Sequence, residues 1–236
     1  MSKERVALML TGRLVSGHPM ELRAVTDDNG QAKRNAAGEA RMALNIGIAI
    51  PKTAGVDWKQ EAWGQVIVAK AMQDWPNGEH VAATFAWKVT DGDSPVPNKK
   101  GNKPCDKDGY PGHWVVFASH ELGPIRCFHA GHFQPHECIP DKAEIKRGDY
   151  GRLNVTIVGN NPSQSRGGYI NPDMFCLERP GEAIVGGESD AAEVFGGGAA
   201  APAATPPVAA PAQGSVDPAR ISPPPQVKPA EDFLAR

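Results

Sequence analysis

The chain has 236 residues, of which 25 are Lys or Arg and 27 are Asp or Glu, so its formal net charge is −2. This length allows one domain or two small ones with a substantial core, and an apolar fraction of 40% excludes both a membrane-embedded and a fully disordered chain. No stretch approaches the roughly 18 apolar residues of a membrane span, and the first apolar run is too short for a signal peptide. Four cysteines do not form a disulfide scaffold, so we expect a reduced, cytoplasmic protein.

The composition changes near residue 185. Residues 186–236 contain 9 Pro, 13 Ala and 6 Gly but no Trp or Tyr, and they carry six acids against three bases. A segment so poor in large apolar side chains cannot bury enough surface to offset its chain entropy. We therefore predict a domain at residues 1–185, with 22 bases and 21 acids, followed by a disordered Ala/Pro/Gly-rich tail with a net charge of −3 and a mildly acidic end.

The first predicted elements are two strands and a helix. Residues 6–15 and 41–50 alternate apolar and polar side chains, which is the period of an antiparallel strand with one face on a core and one in water. Asp57 is placed to cap a helix, with Gln60 at capping-box spacing. Apolar residues then recur at helical intervals until Pro76, which lies just past the expected end.

Four further strands are predicted at residues 84–89, 113–119, 150–158 and 174–177. Residues 150–158 alternate apolar and polar side chains, like residues 6–15 and 41–50. Residues 113–119 are apolar on both faces, as in a strand that is covered on both sides. Long loops rich in Gly and Pro separate these strands. This order of elements favours a mainly β fold, an antiparallel barrel or sandwich with one inserted α-helix.

One face of the half-buried strands is polar. Guanidinium, amide and phenol groups alternate on it: Arg13, Arg41, Asn45, Tyr150, Arg152 and Asn154. This composition suits a flexible polyanion with stackable bases, although a solvated sheet face has the same composition. A loop and two strands add further candidates for the same role: Lys99, Lys100, Lys103, Tyr110, Trp87 and Trp114.

The densest group of metal-ligand residue types is Cys127, His129, His132, His136 and Cys138. Zinc prefers such ligands, but their spacing matches no paired CxxC or HExxH pattern. The aspartates of residues 91–108 are the residue type that holds Mg²⁺ in nucleases, although they lie among turn-forming residues. No GxSxG, P-loop or GxGxxG motif is present, so we expect neither an enzyme nor a cofactor. A metal-dependent nuclease or a zinc-binding protein is the alternative.

Several stretches, in the same order along the chain, resemble a family of phage single-stranded-DNA-binding proteins. Residues 41–53 (RMALNIGIAIPKT) end a strand in Ile-Pro-Lys, and residues 113–119 (HWVVFAS) end one in Ala-Ser. Residues 147–158 (RGDYGRLNVTIV) resemble the family's Gly-x-Tyr-x-Arg-x strand. Within residues 178–195, Pro-Gly-Glu, a Gly pair and an acidic stretch follow. The likeness extends over about residues 6–195.

This resemblance implies an OB-fold-like antiparallel β-barrel whose groove stacks bases on aromatic rings and meets phosphates with Lys and Arg. It implies DNA contacts at Arg13, Arg41, Lys52, Tyr150 and Arg152, and also at Trp87, Lys88, Trp114, Arg166 and Tyr169, with the loop lysines closing over the strand. It also implies that the tail, whose last six residues are Glu231-Asp232-Phe233-Leu234-Ala235-Arg236, recruits replication or recombination enzymes.

The sequence thus predicts a non-catalytic, sequence-tolerant single-stranded-DNA-binding protein. We expect it to act in phage DNA replication, recombination or repair, in the cytoplasm of an infected bacterium, with no membrane partner. Its affinity for DNA should fall as salt rises. A protein-binding OB module is a third possibility, and it would show neither DNA affinity nor metal.

Overall fold

The computed structural model describes residues 4–27, 30–98, 101–161 and 166–185. In these residues the chain forms one α-helix, α1 (Ala62–Asp74), and eight strands: β1 (Val6–Gly17), β2 (Arg23–Ala24), β3 (Met42–Pro51), β4 (Val89–Asp91), β5 (His113–His120), β6 (Arg126–His129), β7 (Tyr150–Gly159) and β8 (Gly168–Arg179). The mainly β class with an inserted helix is confirmed. No helix in these ranges is long and apolar enough to cross a membrane. The predicted disordered tail, residues 186–236, lies outside the described residues.

The strands follow one hydrogen-bonded path in the order β4-β5-β3-β1-β7-β8-β6, and β2 pairs with β3. All pairs are antiparallel except β6 with β8. The path curls until β5 lies beside β8, but no ladder joins these two strands in the described part of the chain. The expected barrel is therefore partly open, as OB-folds are, and is not closed by hydrogen bonds.

Alternate side chains of the long strands meet inside the barrel. The fully buried ones are large and apolar, among them Leu10, Leu14, Ile46, Leu153 and Phe175. Helix α1 packs against β1 and β7, and its Ile67 joins the same core together with Trp58. Because side chains alternate along a strand, the intervening residues face outward, and they form the surface on which a ligand can bind.

Most predicted strands are confirmed. Residues 6–15, 41–50, 113–119 and 150–158 match β1, β3, β5 and β7 to within two residues at each end, and residues 174–177 belong to the longer β8. The short strands β2 and β6 were not predicted. β6 lies within the group of cysteines and histidines, where its two buried residues, Cys127 and Phe128, are too few to show a period.

The strand predicted at residues 84–89 is wrong, because only its last residue belongs to β4. Lys88 has a φ of 61°, a left-handed conformation that interrupts an extended chain. The apolar alternation of Phe85 and Trp87 therefore does not come from a strand. Both side chains pack on other aromatic rings. Phe85 lies 6.2 Å from Trp75, and Trp87 lies 5.3 Å from Trp58, between ring centroids.

The predicted helix is interrupted near its start. Asp57 caps only a short 3-10 turn at Trp58–Gln60, where its side chain accepts a hydrogen bond from the Lys59 amide. Glu61 is extended, and α1 begins at Ala62. This break brings Gly64 against the carbonyl oxygen of Trp58, which a Cβ at residue 64 would approach to 1.7 Å. The close approach requires glycine at this position.

Candidate nucleic-acid interface

A groove of about 520 Å³ lies on the outer surface of the barrel, between β3, β5 and the start of β8. Its lining residues are Val25, Arg41, Ala43, Asn45, Ser119, His120, Glu121, Tyr169 and Asn171. β3 and β5 are the second and third long strands of the barrel, and the connection from β1 to β3 supplies Val25 and Arg41. In OB-folds this face and its flanking loops bind oligonucleotides and oligosaccharides.

The groove offers one exposed ring among neutral hydrogen-bonding groups. Tyr169 is 51% exposed, whereas its neighbour Ile170 is buried. Asn45 lies opposite Ser119 in the β3–β5 ladder. Amide and hydroxyl groups both donate and accept hydrogen bonds, and a ring can stack any base. The surface is therefore suited to unpaired bases without a choice of sequence.

The charges of the groove nearly cancel. The guanidinium of Arg41 donates a hydrogen bond to the carboxylate of Glu121, and both side chains are exposed. The His120 ring is partly desolvated, which lowers its pKa, and its Nδ1 accepts a hydrogen bond from the Leu122 amide at 3.0 Å. The lowered pKa favours the neutral form of His120, and Arg41 is the one Lys or Arg among the described lining residues.

Helix α1 holds the loop that leads into Tyr169. Trp75 Nε1 donates to the Gly167 carbonyl at 2.9 Å, and Asn161 Nδ2 donates to the Asp74 carbonyl at 2.8 Å. Asn160 accepts from the Gly167 amide at 2.9 Å. Both ends of residues 160–167 are thus fastened, and the start of β8 is fixed beside the groove.

A second apolar cluster covers the outer face of β3 and β5 next to the groove. Tyr110 is buried in it with Val15, Ala49, Val115 and Ile184, and desolvation raises the pKa of its phenol. A base has no access to the Tyr110 ring without displacing the loop that carries it. Tyr110, a predicted DNA contact, is therefore a packing residue in this structure.

Arg13 and Tyr150, two other predicted contacts, meet at the corner between β1 and β7. Arg13 donates to the carbonyl oxygens of Gly148 at 2.9 Å and of Glu182 at 2.8 Å. The Arg179 guanidinium lies 3.5 Å from the centroid of the Tyr150 ring, and Arg13 lies 5.7 Å from it. These contacts hold the segment that follows β8. Neither Arg13 nor Tyr150 lines the groove, and both side chains already contact other groups of the protein.

Lys52 and Trp114 lie together at the far end of β3 and β5. The Lys52 ammonium is 4.4 Å from the Trp114 ring centroid and donates to Asp91 and Asp93. Burial opposes the charged form of Lys52, but the two carboxylates outweigh it and raise its pKa. The charge of Lys52 is thus neutralised, and its ammonium lies over the Trp114 ring, which packs on the main core.

The remaining predicted contacts are spread over the surface. Trp87 packs against the core and the ring of Phe85, at 4.6 Å, while Lys88, Lys103 and Arg166 are exposed. Arg166 ends the fastened loop three residues before Tyr169. Arg152 lies on β7, where its Nε is 2.7 Å from a Glu178 carboxylate oxygen. Lys99 and Lys100 are outside the described residues.

The five cysteines and histidines of the alternative zinc-site hypothesis are not grouped as metal ligands in the described structure. Among the described residues, no three His, Cys, Asp or Glu side chains are grouped to hold a metal ion. Cys127 is buried inside the barrel, and desolvation raises the pKa of its thiol to about 12. His129 and His132 instead pair with Glu144 at 3.0 Å and with Glu137 at 3.3 Å. His132 thus pairs within its own turn, whereas His129 links β6 to the turn at Lys142–Glu144.

Of the predicted contacts, the groove thus collects Arg41 and Tyr169, together with Asn45 of the polar strand face. Sequence reasoning missed Ser119, His120, Glu121 and Asn171. Ser119 continues the outward set of β5 by alternation, which was a usable signal. The approach of β5 to β8 that brings Asn171 into the groove has no local signature, because it depends on how the barrel curls.

Removing the acid that pairs with Arg41 should strengthen DNA binding. An exposed ion pair is worth at most about 1 kcal/mol, so Glu121→Gln should raise the affinity for oligothymidine up to about fivefold by releasing Arg41 for phosphate. Glu144→Gln makes the same charge change away from the groove, and it should alter affinity less than twofold. Fluorescence anisotropy measures both. An unchanged or lower affinity of Glu121→Gln would place the phosphate path elsewhere.

No model of a known protein family matches the sequence, and no curated protein matches it significantly. Among solved structures, a C-terminal truncation of the single-stranded DNA-binding protein from bacteriophage Enc34 is similar, with a TM-score of 0.51 and 14% identity over 76% of this chain and 87% of that one. The Enc34 protein in complex with ssDNA has a TM-score of 0.49 and 14% identity, over 76% of this chain and 89% of that one. The bacteriophage T7 single-stranded DNA-binding protein gp2.5 has a TM-score of 0.37 and 14% identity, over 79% of this chain and 94% of that one. The similarity to the Enc34 truncation shows that the chain shares the fold of that phage single-stranded DNA-binding protein.

Proposed function

We propose that this chain is a non-catalytic protein that binds single-stranded DNA through the groove of β3, β5 and β8, without sequence preference. The groove carries the proposal, because it sets the exposed ring of Tyr169 among neutral amide and hydroxyl groups, on the face that OB-folds use for oligonucleotides. The Enc34 protein, whose fold the chain shares, is itself a single-stranded DNA-binding protein. That likeness agrees with the proposal.

The chemistry of the groove favours single strands over duplexes. Arg41 is its single cation among the described residues, and Glu121 already neutralises part of that charge. Duplex binding draws mainly on phosphate contacts, whereas stacking requires bases that are free of their partners. Glu121 is also the single carboxylate in the described lining, so the groove offers no pair of acids for two-metal catalysis.

We propose the biological setting from this binding activity together with the likeness to the Enc34 protein. A protein that coats single strands without reading their sequence serves DNA replication, recombination or repair, here of a phage in the cytoplasm of its bacterial host. In this proposal, the tail at residues 186–236 recruits replication or recombination enzymes.

The test is a titration of labelled oligothymidine, followed by anisotropy, at two or more salt concentrations. With Arg41 as the phosphate contact of the groove, log K should fall with log[salt] at a slope of about −0.7, and each further phosphate contact would add a similar amount. A duplex competitor of equal length should bind at least about tenfold more weakly. No binding at ~50 mM salt, where phosphate contacts are strong, would refute the proposal, as would equal affinity for the duplex.

A further inference from the structure

A second concave surface, of about 430 Å³, lies further along the outer face of β7 and β8. Six of its lining residues are Met9, Arg126, Phe133, Arg152, Asn154 and Met174. They come from β1, β6, β7, β8 and the loop after β6. The concavity therefore joins an aromatic ring, two guanidinium groups and an amide around an apolar floor.

This concavity and the groove are connected by one face of the β7–β8 ladder. Outward residues pair along it: Tyr169, which lines the groove, lies opposite Val158, and Met174 lies opposite Asn154 in the concavity. At the rise of a strand, the two sites are roughly 15 Å apart. Asp173 lies at the irregularity between them, where its carboxylate accepts a hydrogen bond from the Thr156 hydroxyl. A DNA strand that leaves the groove along β8 therefore passes Asp173 before it reaches the concavity.

Phe133 is held in an exposed position by the loop that carries it. Its ring is 55% exposed and meets Phe128 edge-on at 6.4 Å between centroids. The turn that follows is closed by Glu137, whose carboxylate accepts from the Gln134 amide at 2.8 Å and pairs with His132. A preorganised apolar ring facing solvent beside other apolar side chains is typical of a binding surface.

The charged side chains among the described lining residues of the concavity are both arginines, Arg126 and Arg152. Arg126 is exposed, with its guanidinium 5.9 Å from the Phe128 ring centroid. Arg152 keeps one ion pair, with Glu178. No carboxylate is among the described residues that line the concavity. Aromatic surface, guanidinium groups and an amide are together the chemistry that binds bases and phosphates of a single strand.

We propose that this concavity is a second base-binding subsite for the same DNA strand, with Phe133 as its stacking platform and Arg126 as its phosphate contact. This inference rests on the proposed function of the groove. It assigns a role to the loop after β6, and it predicts that the DNA segment bound by one chain is longer than the groove alone would accommodate.

The test compares a short oligothymidine, which fills the groove alone, with one several nucleotides longer. The wild-type protein should bind the longer strand more tightly. Phe133→Ala should weaken binding of the longer strand about tenfold, since stacking is lost, and change binding of the short strand less than twofold. Arg126→Gln should act in the same direction, with a smaller loss. Met72→Ala removes an apolar side chain of similar exposure on α1 and should change neither affinity.

Any other outcome of this experiment would contradict the inference. If Phe133→Ala leaves binding of both strands unchanged, the concavity does not bind DNA, and an acidic aromatic peptide becomes the ligand that its chemistry fits. Equal losses for both strands would make Phe133 part of the groove. If the wild-type protein binds neither strand, the proposed function itself fails, and that outcome is distinct from an effect confined to the variants.

Discussion

Replacing Tyr169 by Ala is expected to weaken the binding of oligothymidine by about 5- to 150-fold, because stacking on one aromatic ring is worth about 1–3 kcal/mol. Tyr169 is the exposed ring of the groove, and the Trp75–Gly167 hydrogen bond fixes the chain just before it. Its half-exposed ring contributes little to the core. The melting temperature should therefore change little while the affinity falls.

Tyr169→Phe is the matched control for this prediction. It retains the ring and loses only the hydroxyl group, so its affinity should stay within about threefold of wild type, as one net hydrogen bond allows. Anisotropy titrations at one salt concentration compare the three proteins. Equal affinities of Tyr169→Ala and wild type would show that bases do not stack in the groove.

Replacing Asp149 by Ala is expected to lower the free energy of unfolding by about 3 kcal/mol. The Asp149 side chain is 1% exposed. It accepts hydrogen bonds from the amides of Lys146 and Gly181, each at 2.9 Å, and from the Lys146 ammonium at 2.6 Å. Removal leaves the two amides without their acceptor, while the exposed Lys146 ammonium can turn to water. It also weakens the attachment of the segment after β8 to the β1–β7 corner, where Arg13 still holds Glu182.

The same substitution should matter less in acid. Burial alone would raise the pKa of Asp149, but the hydrogen bonds from Lys146 and Gly181 outweigh it and lower the pKa. The stabilisation is therefore complete above the unfolded-state pKa of about 3.9, and it disappears as the pH falls through the lower folded-state pKa. Urea unfolding at pH 7 and in acid should show the gap between wild type and Asp149→Ala shrinking. A constant gap would mean that the ionised carboxylate does not provide the stabilisation.

The alternating strands were predictable because one face of each is buried, and period-2 patterning is a local property of the sequence. The outward position of Asn45 follows from the same period. The groove could not be predicted from such a local pattern, because Tyr169 comes close to β3 and β5 only through the curl of the barrel. The sequence pattern predicted nothing about how β5 lies beside β8, two strands that share no ladder.

The predicted contacts that lie elsewhere share one cause. Tyr150, Tyr110 and Lys52 are of the residue types that bind nucleic acid, but each is engaged by a partner distant in sequence: Arg179, Ile184 and the Asp91–Asp93 pair respectively. Aromatic and basic residues serve packing and recognition equally well. Only the folded arrangement separates the two uses.

Photocrosslinking tests most directly whether the groove binds single-stranded DNA. An oligothymidine of about ten nucleotides, within the range bound by one OB-fold, would carry a photoreactive iodouracil base and be irradiated with the protein. After digestion, mass spectrometry should find the main adduct on Tyr169, and an excess of unlabelled single strand should suppress it. Adducts that avoid Tyr169 and concentrate on Tyr150 or Trp114 would contradict the account, because those rings lie outside the groove.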